Sequence, residues 1–179
     1  MTRAQLEHIV RAAAQIAGDR DIVVIGSQAI LGTYPEAPSS LLASREADIY
    51  PRNAPGEAER IDANIGELSL FDEAYGYYAH GVGPETAKAP SGWEARLVPI
   101  SGQNTGGATA WCLEVHDLLL SKAAAGRPRD WVYIEEALRH RLADPELLRQ
   151  RCSDIPLAPR LLAVAQRRLE AVIARVDGH

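Results

Sequence analysis

Two carboxylates stand two positions apart in a segment with the pattern of a strand, Glu46-Ala47-Asp48-Ile49. Because side chains two apart on a strand point to the same face, we expect Glu46 and Asp48 to lie side by side. Two like charges at that spacing repel each other and favour a cation between them. Mg²⁺ suits the pair, since it typically takes one or two carboxylates and substrate phosphates. The alternative is a solvent-facing edge strand whose acids are merely hydrated.

A glycine and a serine, Gly26 and Ser27, follow a compact apolar run at 22–25 and precede a segment with helical character. A position without a side chain lets a phosphate approach the backbone, and a serine hydroxyl with the N–H groups at a helix start can bind its oxygens. The pattern therefore predicts a phosphate-binding turn. The simpler interpretation is a glycine that ends a strand and a serine that caps a helix.

A third candidate is Lys122, which lies among leucines in the segment 117–122. A cation in such surroundings reaches for a polar site or extends along the surface to solvent, and both interpretations stay open. Asp130, at the start of the next predicted helix, is expected in a structural ion pair or in contact with the helix dipole.

Aromatic residues and one histidine lie close to the acidic pair. His80 either contacts a substrate or has a structural role, and the sequence favours the structural role. Three neighbouring tyrosines offer a stacking face for a base, or alternate members of the set have a core role, and the core role is favoured: Tyr75, Tyr77 and Tyr78.

The elements that must position these residues follow from hydrophobic periodicity. A capping-box spacing of Thr2 and Gln5 opens a first helix that ends near Gly18. Strands are expected at 22–25, 45–50, 75–82, 95–100 and 108–115, the last two as a hairpin. Helices are expected at 28–32, 54–68, 117–125, 128–141, 144–152 and 159–176.

This order of elements predicts an α+β fold, with a small mixed sheet flanked by helices and followed by a C-terminal helical part. The chain of 179 residues has the size of one domain, 1–179. Within it we expect an α/β part at 1–115 and a helical part at 116–179 packed against it.

Composition excludes several classes of protein. The net charge of −5 argues against a surface given wholly to nucleic acid, although a local basic groove is compatible with it. No apolar run approaches the length of about 20 residues that a membrane helix needs. The charged, amphipathic N-terminal segment is unlike a signal peptide, so we expect a cytoplasmic location. The 2 cysteines lack a CxxC spacing and are expected as buried thiols.

The order strand, Gly26-Ser27, helix, and then the acidic pair on the following strand resembles the nucleotidyltransferase signature of the DNA polymerase beta superfamily. In that superfamily the Gly-Ser turn positions the triphosphate and the acidic pair holds two metal ions. The segments 24–28, 46–51, 76–86 and 92–94 look more closely like an uncharacterised family of bacterial nucleotidyltransferase-like proteins. That family is similar to the toxin halves of abortive-infection toxin–antitoxin pairs.

The resemblance implies a metal-dependent nucleotidyltransferase that moves a nucleoside monophosphate from a nucleoside triphosphate to an acceptor hydroxyl on RNA, protein or a small molecule. Mg²⁺ or Mn²⁺ would be held by Glu46 and Asp48, and phosphates by Gly26, Ser27 and Lys122. The implied partners are the nucleoside triphosphate, an RNA or protein acceptor, and an antitoxin.

Two departures from the family pattern affect the expected activity. The gap from Gly26 to Glu46 is longer than in minimal members, and the usual third carboxylate on a later strand has no clean match. Glu94, which precedes an expected strand, is the best candidate for that catalytic acid, ahead of Glu85 and Glu114. Without a third acid the general base is missing, and the alternative is a catalytically inactive nucleotide-binding or toxin–antitoxin interaction module.

Overall fold

The computed structural model describes residues 1–178 and contains one five-stranded sheet. Its strands are β1 (Asp21–Ile25), β2 (Glu46–Pro51), β3 (Tyr78–Gly81), β4 (Val98–Ser101) and β5 (Thr109–Cys112). They lie in the order β3-β2-β1-β5-β4. Strand β1 is antiparallel to β2 and parallel to β5, β2 is parallel to β3, and β4 is antiparallel to β5. The predicted α+β class and mixed sheet are confirmed.

The α-helices are α1 (Arg3–Ala17), α2 (Ala58–Ile65), α3 (Leu70–Tyr75), α4 (Val115–Ala125), α5 (Pro128–Arg139), α6 (Pro145–Cys152) and α7 (Pro159–Asp177). Short 3₁₀ helices cover Ser27–Gly32, Ser39–Leu41, Pro55–Glu57, Pro84–Thr86 and Trp93–Arg96. No helix among the described residues combines the length and apolar character that crossing a membrane requires.

The described chain forms two compact units. The first comprises residues 1–86 and 96–114 and contains the whole sheet with α1, α2 and α3. The second comprises residues 87–95 and 115–178 and contains α4 to α7. The expected single domain, with a boundary between 115 and 116, stays a prediction.

The core of the first unit forms around β1. This strand is flanked by β2 and β5, so its β-branched run is buried on both faces, as its composition predicts. Helix α1 contributes a stripe of fully buried residues at helical spacing: Leu6, Ile9, Val10 and Ala13. The predicted capping box of Thr2 and Gln5 is present, and Gly18 ends α1 in the left-handed conformation. The predicted limits of this helix are therefore confirmed.

Several elements of the first unit differ from the prediction. The helix expected at 54–68 is limited to α2, and the strand expected at 108–115 is limited to β5. The strand expected at 75–82 is limited to β3, because Ser69 caps the unexpected helix α3 and Gly76 ends it with φ 72°. The strand expected from residue 95 begins only at Val98, after the 3₁₀ helix Trp93–Arg96. Ser27 is the first residue of its 3₁₀ helix and not its cap, since Gly26 holds that position without a side-chain bond.

The second unit agrees closely with the predicted helices. Asp144 caps α6 through its side chain, and Pro145 follows at the first helical position. Helix α7, expected at 159–176, buries Ala165, Leu169 and Val172, which recur at helical spacing. Both cysteines are buried, as expected, and burial raises the pKa of the Cys112 thiol to about 12.

Candidate functional site

Four polar side chains lie on one face of the sheet, contributed by β2 and β3. The parallel register pairs Glu46 with Tyr78 and Asp48 with His80. The alternate residues of these strands point to the other face and are fully buried: Ala47, Ile49 and Ala79. Strand β2 lies between β3 and β1, so the acids are not on a hydrated edge strand. The spacing of Glu46 and Asp48 therefore does place them on one face of an interior strand.

The turn after β1 lies directly against Asp48. Ile25 pairs with Asp48 across the antiparallel β1–β2 ladder, and Gly26 follows Ile25. A Cβ atom built on Gly26 would lie 2.1 Å from Oδ2 of Asp48, a separation that non-bonded atoms do not tolerate. The backbone of Gly26, with φ 70° and ψ −168°, also belongs to a region that essentially only glycine adopts. Glycine is thus required for its conformation and for the approach of the Asp48 carboxylate.

His80 forms a hydrogen bond with Asp48. Its Nδ1 lies 2.9 Å from Oδ1 of Asp48, and the two side chains are 52% and 24% exposed. An ionised carboxylate only accepts hydrogen bonds, so Nδ1 carries the proton in this pair, and in the neutral ring the lone pair is on Nε2. The favoured structural interpretation of His80 did not include this contact. The parallel pairing of β2 with β3 produces it.

Tyr78 forms the equivalent contact with the other acid. Its hydroxyl donates to Oε2 of Glu46 at 3.3 Å. Burial, followed by the negative charges of Glu46 and Glu67, raises the pKa of the Tyr78 hydroxyl above its ordinary value. Tyr78 therefore remains a donor to Glu46 well into the alkaline range. Each acid of the pair is supported by one side chain from β3.

A buried glutamine connects the turn to the segment before β2. Gln28 is almost wholly buried, and its Nε2 donates to the carbonyl of Ser44 at 3.2 Å. The hydroxyl of Ser44 in turn accepts the backbone N–H of Glu46 at 3.2 Å. Oε1 of Gln28 has no hydrogen-bond partner among the described residues. These bonds hold the Gly26–Ser27 turn and the start of β2 in a fixed relation.

The tyrosines do not form one stacking face. Tyr78 is on the face of the acidic pair, whereas Tyr75 and Tyr77 pack with His8 and Phe71 in an aromatic cluster. Nδ1 of His8 lies 2.8 Å from the hydroxyl of Tyr77 within that cluster. The favoured core positions are nevertheless wrong, because Tyr75 is 53% exposed and Tyr77 and Tyr78 are only half-buried.

Lys122 lies on α4 in the second unit and interacts with α5. Its Nζ is 3.6 Å from Oδ1 of Asp130 and 4.2 Å from the ring centroid of Tyr133. The Lys122 and Asp130 side chains are 11% and 7% exposed, so the pair is largely desolvated. Oδ2 of Asp130 also accepts the backbone N–H of Arg127 at 3.3 Å. Asp130 forms the ion pair expected of it, and a phosphate-binding role for Lys122 stays a prediction.

The expected third carboxylate is not on a strand. Strands β3, β4 and β5, with sequences Tyr-Ala-His-Gly, Val-Pro-Ile-Ser and Thr-Ala-Trp-Cys, contain neither Asp nor Glu. Glu94 is exposed on the 3₁₀ helix Trp93–Arg96, Glu85 lies on another 3₁₀ helix, and Glu114 follows β5. A catalytic role for Glu94 stays a prediction. His80 and Tyr78 occupy the positions beside the acidic pair on β3, which adjoins β2 on the side away from β1.

The residues of this face fit part of a shell for a divalent cation. Two carboxylates are what Mg²⁺ commonly takes from a protein when substrate phosphates and water complete its coordination. Within residues 1–178 no group of three His, Cys, Asp or Glu side chains is already arranged to hold a metal ion. The face thus offers an incomplete set of ligands, which suits a cation that arrives with a nucleotide.

The chain belongs to the family described as nucleotidyltransferase of unknown function (DUF6036), which it matches over residues 4–164. It is therefore a member of a family of transferases, for which a nucleoside triphosphate is the implied substrate. No curated protein and no solved structure matches the chain. The nucleotidyltransferase part of the resemblance is confirmed, and the acceptor and the link to toxins are not identified by this match.

We predict that Gly26→Ala lowers the free energy of unfolding by more than Gly18→Ala does. Both glycines have positive φ, but a Cβ on Gly18 would meet nothing within 4 Å, whereas one on Gly26 would meet Asp48. Gly18→Ala should cost about 1 kcal/mol, the usual penalty for a left-handed alanine, and Gly26→Ala several times that. Urea unfolding followed by circular dichroism measures both; equal losses would contradict the close contact with Asp48.

The Tyr78–Glu46 contact gives a second prediction, on tyrosine ionisation. Glu46→Gln should lower the pKa of Tyr78 by removing a negative charge, while burial should still hold it above the ordinary value near 10. Ultraviolet difference titrations of the parent and Glu46→Gln proteins, each compared with its Tyr78→Phe counterpart, isolate this hydroxyl. Because the pKa is raised on folding, its contribution to stability should be lost as pH rises above about 10. An unchanged Tyr78 titration in Glu46→Gln would contradict the contact.

Proposed function

We propose that this protein transfers a nucleoside monophosphate from a nucleoside triphosphate to an acceptor hydroxyl, with Glu46 and Asp48 as the metal-binding acids. The observation that carries the proposal is the contact between the Asp48 carboxylate and Gly26. This contact brings the Gly26–Ser27 turn and the acidic pair, which are about 20 residues apart in the sequence, into one local site. Membership in a nucleotidyltransferase family supports the reaction class.

Each residue of the turn has a defined part in the proposal. Ser27, half-buried at the start of its 3₁₀ helix, offers a hydroxyl for a phosphate oxygen. Because Gly26 has no side chain, the Asp48 carboxylate lies against the turn. The phosphate-binding groups of the turn and the metal-binding carboxylate are therefore at the same place. Gln28 keeps the turn in register with β2 through Ser44. Lys122 is proposed to contact phosphate as well, which rests on the sequence resemblance.

Glu46 and Asp48 would hold Mg²⁺ or Mn²⁺. When bound, such a cation would neutralise phosphate charge and favour ionisation of the attacking hydroxyl. The chain's own contribution is to orient the two acids, through Tyr78 on Glu46 and His80 on Asp48. Glu94 is the proposed third acid, on the strength of the sequence alone.

The acceptor and the biological role are the least constrained parts of the proposal. RNA, a protein and a small molecule each carry hydroxyls that the reaction could use. We propose that the protein acts as the toxin of a toxin–antitoxin pair with an antitoxin as its partner, which the sequence resemblance supports. If so, induced expression should arrest bacterial growth, and Asp48→Asn should abolish the arrest.

A second candidate function is nucleotide binding without transfer. The observation that favours it is the lack of any acidic residue on β3, β4 and β5, the later strands of the described sheet. If no other group accepts the proton of the attacking hydroxyl, the site binds nucleotide and stops there. Such a protein would serve as an interaction module whose partner responds to bound nucleotide.

Labelled-nucleotide transfer distinguishes the two functions. Purified protein is incubated with each α-labelled nucleoside triphosphate and Mg²⁺ or Mn²⁺, with total RNA or with the protein itself as acceptor. We expect transfer by the parent protein and a loss of at least about 100-fold in Glu46→Gln and Asp48→Asn, because the cation loses a ligand. Glu59→Gln, which neutralises an exposed acid on α2, is the matched control and should retain transfer.

Calorimetry on the same proteins completes the test. Binding of a nucleoside triphosphate with Mg²⁺ that depends on Asp48, without any transfer, would select the binding module. Transfer that persists in both acid variants would remove the basis of the proposed site.

A further inference from the structure

The second unit contains a cavity of about 640 Å³ beside the C-terminal end of α5. Its apolar walls include Leu138 of α5 with Ile173 and Val176 of α7, and the first two of these side chains are buried. A volume of this size falls within the range of about 300 to 1,000 Å³ that small-molecule sites occupy. None of these residues belongs to the proposed nucleotide site.

Arg141 lines this cavity from the turn that ends α5, in a backbone conformation that favours glycine. Its φ is 55°. The backbone N–H of Arg141 donates to the carbonyl of Leu138 at 2.9 Å, and that of Leu142 donates to the carbonyl of Ala137, also at 2.9 Å. These two bonds define a Schellman motif, whose left-handed position is usually glycine because a Cβ atom is strained there. An arginine at this position costs folding stability, which indicates a role beyond ending the helix.

The guanidinium of Arg141 has neither a hydrogen bond nor an ion pair with any other residue of the described range 1–178. Arg139 lines the same cavity but donates to Glu136 at 3.2 Å and also to Glu135, so its charge is compensated. Asp177 is the one acid among the lining residues, and its charge disfavours a ligand with several negative charges. The cavity thus combines apolar walls with a cation that lacks a protein partner.

We propose that this cavity binds a small molecule with an apolar body and a single carboxylate, which Arg141 recognises. A guanidinium binds a carboxylate through two parallel N–H···O bonds, and such charge-assisted bonds are among the strong ones. The apolar walls bury the body of the ligand, and Asp177 makes a carboxylate more suitable than a doubly charged phosphate. The site goes beyond the proposed nucleotide transfer and does not depend on it.

Calorimetric titration of the full chain with decanoate, below the concentration at which decanoate forms micelles, tests the ligand class. We expect saturable, stoichiometric binding of decanoate. Decan-1-ol has the same apolar chain without the charge and should bind at least about tenfold more weakly, because it lacks the charge-assisted bonds. A protein that does not bind decanoate, or binds the alcohol equally well, would overturn the proposal.

Arg141→Gly tests the recognition residue and separates it from a structural role. We expect this variant to bind decanoate at least about tenfold more weakly than the parent. It should nevertheless be at least as stable, with a rise in Tm of up to about 4 °C, because glycine relieves the left-handed strain. An unchanged affinity, or a Tm below that of the parent, would contradict the assignment.

Leu68→Gly is the matched control for the relief of strain. Leu68 is the other non-glycine residue with positive φ among residues 1–178, at 62°, and it is 93% exposed in the first unit. Its replacement should raise Tm by a similar amount and leave decanoate binding as it is in the parent. A loss of binding in Leu68→Gly equal to that in Arg141→Gly would remove the specific role of Arg141.

Methyl nuclear magnetic resonance spectra locate the bound decanoate. The methyl signals of Leu138, Ile173 and Val176 should shift on titration, and those of Ile22 and Val24 on β1 should stay in place. Val176→Trp, which fills the cavity from a half-buried position on α7, should abolish both the shifts and the binding. Shifts confined to the first unit, or binding that persists in Val176→Trp, would overturn the site and leave the proposed nucleotide transfer standing.

Discussion

The close approach of the Asp48 carboxylate to Gly26 is the contact on which the rest of the site depends. It follows from the antiparallel register that pairs Ile25 with Asp48, and it requires a residue without a side chain at position 26. From this contact, Asp48 extends to His80 on β3, and Gln28 holds the turn through Ser44 to the start of β2. The Gly26–Ser27 turn and the acidic pair, which are separate in the sequence, therefore form one structural feature. A side chain at position 26 would displace the Asp48 carboxylate.

Most of the helices and strands could be predicted, because the sequence signals that specify them act over a few residues. The β-branched run of β1 and the capping box of Thr2 and Gln5 both specify structure locally. The predicted extent of the strand at 75–82 was wrong, because a serine helix cap and a glycine oppose the extended pattern of the tyrosines. The tyrosine-rich stretch suggested one strand, but Ser69 caps a six-residue helix and Gly76 ends it, which leaves β3 only four residues.

The site was predictable only in part. The same-face placement of Glu46 and Asp48 follows from strand geometry and was anticipated, whereas the partnership of Asp48 with His80 depends on pairing between residues 32 positions apart. Hydrophobic periodicity predicts individual strands, but it does not predict which strands pair with each other in the sheet. The sequence predicts that Gly26 leaves room for a phosphate, and the approach of Asp48 to the same glycine is a contact that the sequence did not indicate. Glu94 is the candidate because it precedes an expected strand, but that strand begins only at Val98 and Glu94 itself lies on the 3₁₀ helix Trp93–Arg96.

A crystal structure with Mn²⁺ and a non-hydrolysable nucleoside triphosphate tests the central claim most directly, namely that the face carrying Glu46 and Asp48 binds metal and nucleotide. Anomalous scattering identifies the metal without reference to the surrounding atoms. We predict an anomalous peak within coordination distance of both carboxylates, at about 2.0 to 2.3 Å, with triphosphate oxygens at the Gly26–Ser27 turn. A metal and triphosphate bound elsewhere, with these two acids uncoordinated, would contradict the account.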